Sequence, residues 1–181
     1  MSDQELAKGC IAGSRDAQYY LWKQYSRKMM GVCLRYTDSR EEAEDVLQEG
    51  FIKVFEKIGQ WTASGPLGGW IRSVMVNTAL THIRSTKKWK NTSDIEVAEE
   101  IDASDIDAVS KMNEDALMEL IEKMPVGYRT VFNLFAIEGY SHKEISDAMG
   151  VTENTSKTQF LKAKNWLKKH ITVSDKKIET Y

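Results

Sequence analysis

Cysteine occurs only twice, at Cys10 and Cys33, and two thiols cannot form the disulfide framework that staples a small secreted fold. Histidine is almost as scarce. His82, His142 and His170 lie far apart in sequence without ligand-like neighbours, so no metal site is expected. No apolar run is long enough for a membrane-spanning helix. The opening residues, MSDQELAKGC, lack a basic start followed by an apolar stretch, so they do not read as a signal peptide. Val, Ile and Thr nowhere alternate long enough to make a convincing strand. These absences leave a cytoplasmic, all-α chain, and its 181 residues suffice for one ordinary domain or two small ones. Cys33 falls on an apolar helical face and is expected in the core.

The formal net charge is only −2, but the charges are segregated. Seven acids and no base lie between Asp94 and Asp107. From Asn154 to Ser174 there is no acid, while five lysines fall in that stretch. A further basic cluster, Arg84, Lys87, Lys88 and Lys90, closes the first half. A nearly neutral chain can thus carry strongly positive surfaces.

Apolar spacing predicts helices over about 3–12 and 15–36, from the Ser39 cap to near Gly59 and from Leu67 through Ile83, then a second helical group after residue 113. Ser39 with Glu42, and Ser141 with Glu144, have the spacing of capping boxes. Residues 60–66, QWTASGP, form a loop by composition. Pro125 suits the opening of a helix that carries Val131, Phe132, Leu134 and Phe135 and ends at Gly139. The acidic stretch has no aromatic residue and reads as a flexible linker. The expected organisation is therefore a helical domain at 1–90, a linker at 91–112, a second helical domain at 113–172 and a tail at 173–181.

Two strings carry functional information. In AEDVLQEGFIKVF and just beyond it, the residues Ala43, Val46, Leu47, Phe51, Val54, Phe55 and Ile58 form one buried stripe, while Asp45, Gln48 and Glu49 fall outside it. In SHKEISDAMGVTENTSKTQFLKAKNWL, two short amphipathic segments meet at Gly150, the pattern of a helix-turn-helix. Its second segment is expected to be capped by Thr152, to bury Phe160, Ala163, Trp166 and Leu167, and to expose Asn154, Lys157, Thr158, Leu161 and Lys162. Lysines there would attract phosphate, and short amide and hydroxyl groups could read base edges.

These strings, with GPLGGWIRSVMVNTALTHIR between them, occur in an order and spacing that resemble the extracytoplasmic function (ECF) sigma factors of bacterial RNA polymerase. The resemblance runs from about Lys8 to Lys169 and implies two all-α modules, sigma region 2 and sigma region 4. It implies a non-enzymatic initiation subunit without a cofactor. Such a subunit binds core polymerase through the clamp of the largest subunit and the flap of the second. It recognises promoter −10 and −35 elements, promotes DNA opening, and is commonly held by an anti-sigma factor.

Residue by residue, the resemblance assigns Asp45, Gln48 and Glu49 to the clamp. Trp70, Ile71 and Asn77 match the helix facing the −10 element, with Asn77 at a position that contacts a flipped base. The loop from Trp61 to Pro66 matches the pocket for that base. Trp61 could stack on the base or pack in the core, and Trp70 reads mainly as core. Arg72, Arg84, Lys87 and Lys88 are candidates for phosphate contacts beside the melted strand. Asn154, Lys157, Thr158, Leu161 and Lys162 fall at −35 contact positions.

Two departures stand out. Ser156 replaces the valine of many relatives and is expected to weaken packing or to bond to its own helix backbone. Gln159 replaces an arginine and removes a charge. An ordinary helix-turn-helix regulator would account for the second half equally well but leaves the Asp45–Gln48–Glu49 patch unexplained. An enzyme acting on nucleic acid is disfavoured, because the sequence shows no carboxylate cluster, activated nucleophile or phosphate-binding glycine loop.

Overall fold

The computed structural model describes residues 1–86 and 114–178. The chain divides into two compact units, Met1–Thr86 and Lys87–Tyr181. Every regular element among the described residues is helical. The expected linker, together with Lys87 and Lys88, lies outside the described residues.

The first unit contains α1 (Asp3–Ile11), α2 (Arg15–Leu34), α3 (Arg40–Lys57) and α4 (Leu67–Ser85), with a 3-10 turn at Ile58–Gln60. Serine caps set the starts of the first three. Ser2 and Glu5 form a complete capping box that was not anticipated from sequence. Ser14 accepts from the Ala17 amide at 3.3 Å. The box expected at α3 is only half formed. Ser39 Oγ accepts from Glu42 N at 3.1 Å, but the Glu42 carboxylate accepts from Asp38 N at 3.2 Å, one residue before the expected donor. The core is built from Leu21 and Met29 of α2, Val46 and Phe51 of α3, and Ile71 and Met75 of α4, all at most 2% exposed. Each such side chain contributes roughly 1.5–3 kcal/mol of burial. Gly50 lets α3 approach α4 closely, since a Cβ there would meet the thioether of buried Met75. Cys33 is fully buried as expected, and burial pushes its thiol pKa up to about 12, which keeps it unreactive.

The second unit contains α5 (Glu114–Glu122), α6 (Val126–Phe132), α7 (His142–Met149) and α8 (Glu153–Ile178). The last helix runs past residue 172 into the stretch expected to be a tail. Its core joins Ile121, Met124 and Tyr128 to Ala163, Leu167 and Ile171, with Trp166 partly buried against it. Pro125 stands immediately before α6, and Arg129 N donates to its carbonyl at 2.9 Å. The helix expected to continue to Gly139 instead widens into a π-turn at Asn133–Ile137, closed by Glu138 N donating to Asn133 O at 2.9 Å. Gly139 then turns the chain at φ 77°, a left-handed conformation that costs glycine little.

Candidate functional site

Three surfaces carry the residues singled out from sequence. The first is the outer face of α3. Ala43, Val46, Phe51 and Val54 are at most 2% exposed on its inner face, which leaves Asp45, Gln48 and Glu49 outside and exposed. Glu49 accepts from Lys53 Nζ at 2.6 Å one turn on. Ile52 is 58% exposed and lies seven residues from Asp45 and four from Gln48, so it shares this face. Ile52 was not anticipated, although the same spacing that groups the polar residues includes it.

The second surface is α4 with its preceding loop. Trp70, Ser73, Asn77, Thr81 and Arg84 recur at three- and four-residue steps and form one outward strip. Trp70 is half-buried and the other four are exposed. Ser73 and Thr81 were not anticipated. Their hydroxyls donate back to the carbonyls of Gly69 at 3.2 Å and Asn77 at 2.9 Å, which leaves oxygen lone pairs facing out. Ile71 of the same helix is fully buried and serves the core. Arg72 is half-buried and falls on the other side of the helix from Asn77 and Arg84.

The loop before α4 is tied by its own side chains. The Trp61 indole N–H donates to Gly65 O at 3.1 Å, and the Thr62 and Ser64 hydroxyls share a hydrogen bond of 2.9 Å. Ala63 adopts φ 57°, a left-handed conformation unusual for alanine, of the kind that collects at binding sites. Trp61 is half-buried, between the two roles considered for it. A distant carboxylate fixes the end of the loop. Asp3 accepts from the Leu67 backbone N–H at 3.0 Å and from the Tyr25 hydroxyl at 2.9 Å, so the start of α1 caps the start of α4. Burial first, and this bond second, push the Tyr25 pKa up to about 12.

The third surface is the helix-turn-helix of α7 and α8. Ser141 and Glu144 form the complete capping box expected of them, and the bond from Ser141 N holds the Glu144 pKa below the usual carboxylate value. Gly150 closes α7 at φ 67°, ψ 40°. Thr152 Oγ1 accepts from Thr155 N at 3.1 Å and caps α8. Asn154 and Lys157 are exposed as expected, whereas Thr158, Leu161 and Lys162 are half-buried. Lys157 pairs with Glu153 at 2.9 Å, and this contact holds the Glu153 pKa low.

Of the two alternatives for Ser156, the bond to its own backbone is contradicted. Ser156 is fully buried, and its hydroxyl lies 2.9 Å from His142 Nδ1 on the facing helix. The imidazole stacks on Phe135 with centroids 4.4 Å apart and meets Phe160 edge-on at 5.9 Å. Burial first, then Lys157, lower the His142 pKa, so the neutral ring is favoured. Gln159 also turns inward. Its Oε1 is buried without a hydrogen bond beside a small cavity lined by Val131, Met149, Val151 and Ser156.

Comparisons with known proteins cover both units. Residues 21–89 match the model of Sigma-70 region 2, and residues 114–167 that of Sigma-70 region 4. The chain is 30% identical over 171 residues to the ECF RNA polymerase sigma factor SigW of Bacillus subtilis, covering 88% of this chain and 91% of that one. It is 26% identical over 178 residues to the RNA polymerase sigma-H factor of Pseudomonas aeruginosa, covering 92% of each. Among solved structures, the sigma factor RpoE in complex with the anti-sigma factor NepR from Bartonella quintana shares the fold. Its TM-score is 0.50 at 15% identity, over 86% of this chain and 96% of that one. Identity to SigW at this level across both units places the chain in the ECF family of sigma factors, the subunits that act with RNA polymerase in transcription initiation.

Proposed function

We propose that the three surfaces divide the work of initiation between them, without an enzymatic step by the chain itself. The outer face of α3 docks on the clamp of the polymerase largest subunit through Asp45, Gln48 and Glu49, with Ile52 as an apolar anchor among polar neighbours. The α4 strip faces the −10 element. Extruding a base from the stack costs a few kcal/mol, and a preformed pocket with hydrogen-bonding groups offsets that cost. Asn77 supplies an amide that both donates and accepts, and the tied loop from Trp61 to Pro66 supplies the wall. Arg84, with Lys87 and Lys88 beyond it, attracts the neighbouring phosphates.

The start of α8 enters the −35 major groove. Asn154 and Lys157 reach furthest, and Lys157 exchanges Glu153 for a phosphate at little cost because an exposed ion pair is weak. Thr158, Leu161 and Lys162 contribute at the margin of the contact. The domains fall at 1–90 and 113–172, and the acidic 91–112 segment tethers them, so docking of one raises the effective concentration of the other. The site of action is the cytoplasm. The RpoE relative was solved with an anti-sigma factor, and a partner of that kind would act here by covering these same surfaces.

The observation that carries this reading is α3: a helix buried on one side that presents two carboxylates, an amide and an exposed isoleucine on the other. Asn77→Ala tests the division of labour. Polymerase binding should be retained while strand opening at a target promoter, read by permanganate reactivity of unpaired thymines, falls at least about tenfold. Unchanged opening would remove Asn77 from the base-capture role.

A further inference from the structure

The outward face of α2 belongs to none of the three surfaces described. Tyr19 and Tyr20 are 58% and 51% exposed, although tyrosine rings ordinarily bury much of their area. Their rings meet edge to face with centroids 5.7 Å apart, and Lys23 Nζ lies 6.0 Å from the Tyr19 centroid. Lys23 and Arg27 follow Tyr19 at four-residue steps, and both are exposed. Asp16, three and four residues before Tyr19 and Tyr20, is exposed on the same side of the helix, but no further acid follows before Asp38, while Lys23, Arg27, Lys28 and Arg35 do. Trp22, 36% exposed, packs one side of its ring on Phe51, with centroids 4.5 Å apart, whereas Tyr19 and Tyr20 are exposed to a greater degree.

We infer that this face of α2 is a contact surface for single-stranded nucleic acid. Exposed rings interleaved with cations at helical spacing match what an unpaired strand presents: flat faces for unstacked bases and positive charge for phosphates. A duplex hides its base faces in the stack and would leave the rings idle. The eight helical steps from Tyr19 to Arg27 span about 12 Å, roughly three nucleotides of a stacked strand. The charge argues against a shared role with the α3 face. That face presents Asp45 and Glu49 and suits a basic partner, whereas this one sets Lys23 and Arg27 against the single acid Asp16, is net positive and suits a polyanion. The α2 face lies outside the −10 and −35 assignments, and its role does not depend on which promoter is read.

The test uses the full chain and a fluorescein-labelled oligothymidylate of about fifteen nucleotides, followed by anisotropy across a salt series. Tyr19→Ala/Tyr20→Ala should weaken binding at least about fivefold with helical content and thermal midpoint retained. Lys23→Ala/Arg27→Ala should flatten the slope of log affinity against log salt by about 0.7 for each phosphate no longer neutralised. Absence of oligothymidylate binding by the unaltered chain, or equal binding by the tyrosine variant, overturns the inference. So does a fall in core polymerase affinity in these variants with oligothymidylate binding unchanged, which would assign the face to a protein. The Asp45→Ala/Gln48→Ala variant, assayed for polymerase binding, tests the docking assignment separately.

Discussion

In the first unit α4 is braced by apolar packing along its length against α2 and α3, and its start is capped by a carboxylate from α1. In the second unit α8 packs its later turns on α5 and α6, but near its start it meets α7 through a half-buried polar pair, His142 and Ser156, beside the buried Ile145 and Met149. Both helices present polar side chains outward from an apolar back. They differ in what fixes the presenting end. Hydrophobic burial is non-directional, so α4 takes its position from shape and from the Asp3 tie. A hydrogen bond is directional, so at the start of α8 the His142–Ser156 contact adds an orientation, sensitive to the protonation of the ring, to the Thr152 cap and the Phe135–Phe160 packing.

The largest effect expected from breaking this contrast is in the apolar brace. Ile71→Ala should destabilise the first unit by about 2–5 kcal/mol, because it removes a fully buried side chain and leaves a cavity. Equilibrium urea unfolding of the full chain checks the value, and a change below about 1 kcal/mol would deny α4 its place in the core.

Asp3→Ala comes next. It removes the acceptor for both Leu67 N–H and the Tyr25 hydroxyl and should cost about 1–3 kcal/mol. Asp3→Asn, which keeps one oxygen acceptor, should recover part of that stability in the same unfolding measurement. Faster proteolysis of the loop from Trp61 to Pro66 in the alanine variant would show that the tie reaches the pocket as well as the fold.

The polar pair should behave differently from the brace. Ser156→Ala leaves the half-buried His142 ring nitrogen without its partner and should cost about 0.5–1.5 kcal/mol. Replacing both, as His142→Leu/Ser156→Val, should recover most of it, since no polar atom is then left unsatisfied. A double-mutant cycle without coupling would mean the pair contributes nothing.

The smallest effect is the pH dependence. The His142 pKa is lowered from 6.5 in the folded chain, chiefly by burial, so the unfolded chain binds more protons as the solution is acidified. The contribution is fully present above about pH 6.5 and is lost as pH falls through the folded value. Thermal midpoints of the second unit should therefore drop between about pH 7 and pH 5, and His142→Leu/Ser156→Val should flatten that slope. An identical slope in the double variant would place the titration elsewhere.

Much of this architecture was legible in the residue order because amphipathic spacing is a local signal. It located α1 to α4, the buried stripe of α3, the Ser141 box and the glycine turn at Gly150. It also grouped Asp45, Gln48 and Glu49 on one exposed face. What it missed depends on partners distant in sequence or on small changes of helical pitch. The Asp3 cap on Leu67 spans 64 residues, and no local pattern announces it. The π-turn at Asn133–Ile137 ends a helix whose apolar spacing looks continuous. Ser156 defied its local pattern because its partner lies 14 residues away on the facing helix. Arg72 groups with Arg84 by charge alone, and counting helical steps separates them.

The central claim is that α3 docks this chain on RNA polymerase, and the direct measurement is competition for purified core polymerase coupled to run-off transcription. The unaltered chain should bind and initiate. Asp45→Ala/Gln48→Ala should weaken polymerase affinity at least about tenfold, and initiation with it, while its unfolding curve is unchanged because both side chains are exposed. Full affinity and full run-off product from the double variant would contradict the account.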